Sequence, residues 1–434
     1  MGLSYRWFLA IIDLALLNAR MKFQHLSIEG WRQFENISLE FHPRLTVIAG
    51  ANGAGKSTIL RLLAQHFGLQ SRLIATPMIS RQGVWRYLSG LFGLARRNQN
   101  PAQTQIGQLT YDNRGSSQLS VQAEGSAVYD VIFQNLQQVQ GLFVGSHRPS
   151  SSYQPVSSIP TDAVTAEQAY QRYHQEIINK YNNTYTQYSP TYRIKEAIIS
   201  MATFGPGNRN VQGNPILETT FEDFKAMLSK VLPETIGFVD ISIRIPDVVI
   251  VTRTGEFMLD AASGGLMAII DLAWQIFLYS RDKTSFVTII DEPENHLHPS
   301  MQRSLIGSLI DSFPGAQFIV ATHSPFVVSS VRDSAVYVLR FSDTKQEGGP
   351  ERTVYSEKLG HSTKAGTASE VLRDVLGVPV TLPLWAENEI ESIAADFRID
   401  ELDQTTIGRL RSRLENAGLG EYYAEALGRV VAGK

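Results

Sequence analysis

Residues 45–58 read LTVIAGANGAGKST, an apolar run that leads into a glycine-rich turn and a Lys-Ser pair. From Gly50 to Ser57 the stretch fits the pattern G-x-x-x-x-G-K-S, and its flanks predict a strand before the turn and a helix after it. In such a turn successive backbone N–H groups point inward and form an anion nest, to which the helix N-terminus adds positive potential. The stretch therefore predicts a phosphate-binding loop, in which Lys56 reaches the β- and γ-phosphates and the Ser57 hydroxyl binds Mg²⁺.

A second motif, FVTIIDEPEN at 286–295, is an apolar stretch that ends in acidic residues. A buried strand of this kind delivers a carboxylate beside the phosphate loop, where Asp291 can order the water shell of Mg²⁺. Glu292 follows directly and is suited to orient or deprotonate an attacking water. An acidic turn stopped by Pro293 is the alternative, and the presence of a phosphate loop makes it the weaker interpretation.

Two further segments carry candidate residues. In AASGGLMAII, at 261–270, Ser263 precedes a predicted helix whose N–H groups can meet a γ-phosphate, and a purely structural N-cap is the alternative. In QFIVATHSP, at 317–325, His323 ends a predicted strand that we expect beside the Asp291 strand. A histidine at that strand end is suited to sense the γ-phosphate.

These four segments, in this order, resemble the ABC-type ATPase head shared by transporters, SMC proteins, RecF and the OLD-like ATPases. The resemblance covers roughly residues 22–68 and 237–330, and it implies an α/β fold of the P-loop NTPase class with ATP and Mg²⁺ as cofactors. It implies that Lys56, Glu292 and His323 are catalytic and that Ser57 and Asp291 bind the metal. It further implies a Walker A loop of Asn52, Gly53, Ala54, Gly55, Lys56, Ser57 and Thr58, and a signature motif of Ser263, Gly264 and Gly265.

The sequences of other segments favour one branch of this group. WRQFENISLEF resembles the opening hairpin of the SMC and RecF branch, which implies that Arg32 and Phe34 lie near the nucleotide base. DEPENHLHP followed by ATHSPFVVSS resembles the OLD-like and PtuA-like ATPases of anti-phage systems more than transporter subunits. In that group HLHP belongs to the D-loop, so we expect residues 295–298 at a dimer seam. Ala262 and Leu266 depart from the transporter signature.

The resemblance implies a mechanism that needs a second copy of the chain. Two ATP molecules would bridge two copies, and each ATP would be held between Lys56 of one copy and Ser263 of the other. The first expectation is an ATPase that regulates a separate effector, a nuclease or toxin, in bacterial anti-phage defence. A RecF- or SMC-type ATPase of DNA repair or chromosome maintenance is the alternative, which keeps nucleic acid open as a partner, and a transporter subunit is the third reading.

Composition narrows the class of protein. The chain of 434 residues has a formal net charge of −3 and a pI of about 6.3, so any nucleic-acid contact has to be a local patch. The absence of cysteine excludes disulfides and suits a reducing cytosol, so we expect a cytoplasmic protein. No apolar run reaches the ~20 residues that span a bilayer, and we expect no membrane partner. His296 and His298 allow a metal-site alternative, which lacks a convincing third ligand.

The organisation of the chain follows from the same patterns. Within the first lobe, alternating segments between 106 and 135 predict an antiparallel β subdomain, and residues 83–97 predict a helix. Gln82, Gln108 and Gln118 remain candidates for a Q-loop glutamine. We expect five parts: an apolar extension at 1–20, which is an amphipathic helix unless translation starts at Met21, an N-terminal lobe at 21–160, a mainly helical insert at 161–235, a C-terminal lobe at 236–345, and a helical, partner-binding region at 346–434.

Overall fold

The chain divides into two compact units, residues 1–368 and 369–434. A computed structural model describes residues 21–70, 72–79, 83–92, 103–148, 152–160, 164–181, 184–342, 350–360, 364, 366–377, 383–398 and 403–432. The predicted extension at 1–20 and the candidate Gln82 lie outside the described residues.

The first unit is built on one large mixed sheet. Among the described residues it has eleven strands in the order β11-β8-β7-β1-β2-β19-β18-β3-β17-β16-β12. The strands of this sheet are β1 Phe23–Trp31, β2 Phe34–Glu40, β3 Leu45–Gly50, β7 Thr104–Tyr111, β8 Ser116–Val121, β11 Ile132–Gln134, β12 Gly141–Val144, β16 Phe286–Asp291, β17 Ala316–Thr322, β18 Ala335–Ser342 and β19 Thr353–Lys358.

The half of the sheet that contains the glycine-rich loop and the acidic strand end is parallel. Strands β12, β16, β17, β3 and β18 pair in parallel, and β3, β16 and β17 are buried along their whole lengths. This burial on both faces explains why their sequences are continuous apolar runs instead of alternating ones. Because parallel strands end at one edge, the residues after β3, β16 and β17 meet there, which is where open α/β sheets bind ligands.

The other half is the antiparallel β subdomain that the alternating segments predict. Strand β1 pairs with β2 and β7, and β8 lies between β7 and β11. The helix predicted over 83–97 is wrong for its described part, because β6 pairs there with two short strands, and pairing overrides the local pattern. The small strands of this unit are β4 Leu73–Ile74, β5 Thr76–Ile79, β6 Trp85–Leu88, β9 Glu124–Gly125, β10 Val128–Tyr129, β13 Phe238–Arg244, β14 Asp247–Thr252 and β15 Gly255–Met258.

Helices cover the sheet and fill the 161–235 segment. Ser189 and Asn214 cap two helices of that segment by accepting from backbone N–H groups, and a proline follows each cap at the first helical position. The helices of the first unit are α1 Lys56–Ala64, α2 Ala166–Tyr181, α3 Pro190–Phe204, α4 Pro215–Val231, α5 Gly264–Ser280, α6 Pro299–Ser312 and α7 Pro325–Val328, with single 3₁₀ turns at Gln65–Phe67 and Leu259–Ala261.

The end of the chain holds both a strand pair and a helical unit. Strands β18 and β19 pair within the large sheet, so the region at 346–434, predicted as mainly helical, also contains the strand β19. The second unit packs three helices around its own apolar core, which includes Ile390, Leu410 and Ala426. The helical elements of this region are α8 Ala368–Glu370 with a π turn at Val371–Val375, α9 Leu384–Ala395, α10 Gln404–Asn416, a 3₁₀ turn at Gly420–Tyr422 and α11 Tyr423–Ala432.

Candidate functional site

The glycine-rich turn between β3 and α1 has the backbone of an anion nest. Gly50, Gly53 and Gly55 have φ values of 145°, 78° and 97°, a region that favours glycine. A Cβ on Gly55 would lie 2.5 Å from the Phe34 ring, and one on Gly50 would lie 2.7 Å from the Leu339 carbonyl oxygen. The turn therefore needs glycine for its conformation and also for the close approach of its neighbours.

Lys56 begins α1 and is turned back over the phosphate loop. Its Nζ donates to the carbonyl oxygens of Gly50 and Ala51 at 2.9 and 3.2 Å, and it lies 2.8 Å from His323 Nε2. Burial lowers the pKa of Lys56 to about 8, against the opposing pull of nearby carboxylates led by Glu292. The three donors of the ammonium thus have protein acceptors that a phosphate group would replace.

Asp291, the last residue of β16, lies beside Ser57. The Ser57 hydroxyl donates to this carboxylate, and burial raises the pKa of Asp291 despite that hydrogen bond. Within the described part of the chain, Asp291 Oδ1 is buried and has no hydrogen-bond partner. A buried carboxylate oxygen without a partner, next to a hydroxyl, fits the hard oxygen ligands that Mg²⁺ prefers.

Glu292 turns out of the strand toward the same edge. Its φ is 50°, an uncommon value for a residue with a side chain, and its N–H donates to the Ala321 carbonyl at 2.9 Å. Its Oε2 accepts from Asn295 Nδ2 at 2.9 Å, and its Oε1 lies 3.7 Å from His323 Nε2. The strained turn holds a partly exposed carboxylate beside the imidazole, as expected where backbone strain is kept for function.

Glu294 is a site residue that the motif analysis did not assign. Its Oε1 accepts from the Thr322 hydroxyl at 2.7 Å and from the backbone N–H groups of His323 and Ser324 at 2.7 and 3.1 Å. Burial raises the pKa of Glu294. This carboxylate joins the turn after β16 to the turn after β17 and so fixes the backbone that carries His323. In the sequence, Glu294 is visible as the third acidic residue of DEPE at 291–294.

His323 completes the cluster as a neutral imidazole. Burial, and secondarily the Lys56 ammonium, lowers the pKa of His323. A neutral ring can accept from Lys56 at Nε2, which is the shorter of its two contacts with that ammonium. The sheet edge therefore brings together Lys56, Ser57, Asp291, Glu292 and His323.

The signature segment is not joined to this cluster. Ser263 caps α5 by accepting from the Leu266 N–H at 3.4 Å, as the structural alternative expects. No hydrogen bond or ion pair between described residues connects Ser263, Gly264 or Gly265 to the Lys56 cluster. Gly265 instead faces the D-loop, because a Cβ there would lie 2.8 Å from the His296 carbonyl oxygen.

The residues from the β1–β2 turn support the phosphate loop from behind. Phe34 is fully buried with its ring against Gly55, and Gln33 Nε2 donates to the Gly53 carbonyl at 3.4 Å. Arg32 has a φ of 56°, and its N–H donates to the Gly90 carbonyl at 2.8 Å. Contact of Arg32 or Phe34 with a nucleotide base stays a prediction.

Other candidates occupy less central positions. Gln108 and Gln118 lie on β7 and β8, whereas β12, the strand beside β16, ends in a turn whose Ser146 carbonyl accepts from Asn295 Nδ2 at 3.1 Å. His298 caps α6 through Nδ1, which accepts from the Ser300 N–H at 3.3 Å. The His298 imidazole therefore has a structural role as a helix cap, which differs from the metal-ligand role of the alternative interpretation.

Two family models match the chain. A model described as "AAA domain" matches residues 25–210, and one described as "AAA domain, putative AbiEii toxin, Type IV TA system" matches residues 254–329. The Septu protein PtuA of Bacillus thuringiensis is 22% identical over 381 residues, which are 84% of this chain and 86% of that protein. The chain is thus similar to AAA domains in two separate segments and to PtuA over most of its length.

Shorter matches involve other bacterial proteins. The Retron Vc95 probable ATPase of Vibrio cholerae serotype O1 biovar El Tor is 37% identical over 57 residues, 13% of this chain and 11% of that protein. The DNA repair protein RecN of Xylella fastidiosa strain 9a5c is 34% identical over 107 residues, 24% of this chain and 18% of that protein. An SMC head domain from Thermotoga maritima matches 78% of this chain and 99% of its own, with 16% identity and a TM-score of 0.40.

No helix among the described residues combines the length and the apolar character needed to cross a membrane.

Proposed function

We propose that this chain is a Mg²⁺-dependent ATPase whose two copies close around ATP, and that this cycle regulates a separate effector protein in bacterial anti-phage defence. The observation that carries the ATPase proposal is the Lys56 ammonium, held over a glycine nest 2.9 Å from the Gly50 carbonyl oxygen. Asp291, with its unpartnered Oδ1, ends a strand of the same sheet edge.

The chemistry follows from what each side chain can do. Phosphate oxygens are stronger acceptors than the two loop carbonyls, so Lys56 would move onto the β- and γ-phosphates and release His323. Glu292, a partly exposed acid of the cluster, would accept a proton from the attacking water as the water oxygen approaches the γ-phosphorus. The freed imidazole would then donate to or position the γ-phosphate. Bound at Asp291 and Ser57, Mg²⁺ would neutralise charge on the leaving phosphate oxygens.

The proposed dimer follows from the separation of two anion sites. The start of α5 presents N–H groups, and no hydrogen bond or ion pair between described residues joins it to the Lys56 cluster; an open helix start is suited to a γ-phosphate. A second copy would supply Ser263, Gly264 and Gly265 to the ATP held by the first. ATP would then act as a ligand that selects a closed state, and hydrolysis would release it.

The assignment to defence rests on the extent of the PtuA similarity, which spans most of both chains. The similarity to the Septu protein supports a switch role with a separate effector. Purifying the tagged chain from its native host and identifying stably bound proteins tests this part. Recovery of a nuclease or toxin is expected, and recovery of DNA alone would contradict it.

The decisive test of the ATPase proposal is Glu292→Gln. We expect kcat to fall by about 10²–10⁴, the usual range for loss of a general base, while ATP binding persists. The variant should then form a stable dimer with ATP, measured by light scattering after size-exclusion chromatography. Lys56→Ala in the same background is the matched control and should abolish the dimer. Hydrolysis at the wild-type rate would show that Glu292 is not the base.

A RecF- or SMC-type role in DNA repair is the second candidate, favoured by the similarity to RecN over 107 residues. This role predicts DNA affinity that depends on ATP and falls steeply as salt rises. Fluorescence anisotropy of a labelled duplex at two salt concentrations separates the candidates.

A further inference from the structure

Lys195, in the middle of α3, is a fully buried cation far from the phosphate loop in sequence. Its side chain has an exposed fraction of 0%, and its Nζ contacts Asp260 Oδ2 at 2.5 Å. The same ammonium donates to the Gln154 carbonyl at 2.7 Å and lies 3.3 Å from Asp247 Oδ1. The Tyr153 ring covers it at 5.3 Å. One ammonium thus joins four separate segments of the chain.

The position of Asp260 gives this contact its meaning. Asp260 lies in the 3₁₀ turn Leu259–Ala261, three residues before Ser263, and its side chain is 2% exposed. Among the described residues, its Oδ1 is buried without a hydrogen-bond partner. Lys195 is therefore the principal group that holds this carboxylate and, through it, the turn that leads into α5.

The start of α5 is weakly held by its own cap. The Ser263 hydroxyl accepts from the Leu266 N–H at 3.4 Å, longer than the ~2.9–3.0 Å of a typical N–H···O bond. The Gly264 and Gly265 backbones carry no side chain to pack the segment. The turn before the motif, and not the cap, is thus placed to fix where Ser263 stands.

We propose that Lys195 is a positioning residue for the signature motif, which acts through Asp260 to hold Ser263 and the start of α5 in the geometry that receives the γ-phosphate of a second copy. This proposal rests on the proposed function. Lys195 belongs to the helical 161–235 segment, so it also gives that segment a task in the ATP cycle.

Stability alone does not require this arrangement. A buried ion pair is on average no more stabilising than apolar residues of similar volume, because desolvation of both charges offsets their attraction. Removing one partner is different, since it leaves an uncompensated buried charge. A positioning role and a purely structural role therefore predict different results when Lys195 and Asp260 are neutralised together, which leaves of this group only the partly exposed Asp247 carboxylate.

The test uses the full chain in the Glu292→Gln background, with Lys195→Met and with the double change Lys195→Met and Asp260→Asn. We expect binding of a fluorescent ATP analogue to the single chain to change less than about twofold, because Lys56 is untouched. We expect ATP-dependent dimerisation to weaken by at least about tenfold in both variants, as measured by analytical ultracentrifugation.

Lys225→Met is the matched control. Lys225 lies on α4 of the same segment and also contacts two carboxylates, Glu222 at 2.8 Å and Asp240 at 3.1 Å. It has no contact with the turn before Ser263 among the described interactions, so the control variant should dimerise like its parent.

The outcomes separate the alternatives. If the double variant melts near its parent's temperature, binds ATP and fails to dimerise, the positioning role is supported. If it dimerises as its parent does, Lys195 has only a structural role and the proposal is overturned. If the Glu292→Gln parent itself stays monomeric with ATP, the proposed function fails first, and the positioning role falls with it.

Discussion

Lys56 is held by protein contacts that the phosphates of the proposed ATP ligand would have to displace. Its ammonium contacts two loop carbonyls and His323. Burial has also moved its pKa to about 8, close to physiological pH. The charge of Lys56 therefore changes near physiological pH, whereas an exposed lysine would stay protonated there.

A pH dependence of ATP binding follows from this residue. Without ATP, Lys56 loses its proton as pH rises through about 8, whereas bound phosphate keeps it charged to higher pH. Binding then takes up a proton above that pH, so affinity should fall there by up to about tenfold per pH unit. Calorimetric titrations at pH 7, 8 and 9 measure it. Lys56→Arg, which stays charged, should give a flat profile if it binds ATP.

Glu294 gives a second prediction for a single residue. Glu294→Ala removes the acceptor of the His323 and Ser324 N–H groups, and a charge-assisted hydrogen bond of this kind contributes about 1.5–3 kcal/mol. We expect a lower melting temperature and a kcat at least about tenfold lower, with ATP affinity little changed because Lys56 is intact. A wild-type kcat in a destabilised variant would show that Glu294 serves stability alone.

Among the elements, the β1–β2 hairpin matters because its turn supports the phosphate loop. The buried Phe34 ring fills the space that a side chain at Gly55 would need, and Gln33 reaches the carbonyl of Gly53. The hairpin therefore shapes the nest without facing the phosphate itself. This physical role stands whether or not Arg32 contacts a base.

Two glycines of the loop give a matched pair of variants. Gly55→Ala places a methyl group 2.5 Å from the Phe34 ring, whereas Gly53→Ala has no atom within 4 Å, and both positions have positive φ. Backbone strain of about 1–3 kcal/mol is common to both, so Gly55→Ala should lose more ATP affinity by the added clash. Equilibrium binding of labelled ATP compares them. Equal losses would mean that packing against the hairpin is unimportant.

At the scale of the whole molecule, the proposed ATP site has two halves that belong to different elements of one chain. The Lys56 cluster stands at the ends of β3, β16 and β17, and the Ser263 start of α5 has no interaction with it among the described residues. If each ATP lies between two copies, one chain can lend either half of a site. The sheet thus predicts complementation between defective chains.

Complementation gives the prediction for the assembly. Lys56→Ala lacks the phosphate loop's cation and Ser263→Arg blocks the signature, so each should be inactive alone. A mixture forms a heterodimer with one intact site, and its ATPase rate should exceed either variant's by at least about tenfold. Phosphate release from equimolar mixtures measures this rate. A mixture as inactive as its components would contradict a shared site.

The phosphate loop and the acidic strand end were predictable because their chemistry is local. A strand, a glycine turn and a helix N-terminus need only neighbouring residues to form a nest, and an apolar run ending in Asp291 needs only its strand. The helix predicted over 83–97 is wrong for its described part, since β6 takes its conformation from pairing with β5 and β9. Glu294 was missed because its partners lie on another strand.

The sequence pattern of residues 50–57 was thus enough to predict a phosphate-binding loop, since the backbone conformation there depends on residues close in sequence. The tertiary fold alone decided which groups, distant in sequence, complete the site around the phosphate loop. Lys56 and His323 are 267 positions apart, and they meet because β3 and β17 pair in parallel with Ala49 beside Thr322. Sheet register, which depends on the packing of the whole core, set that contact and the place of Glu294 between the two turns.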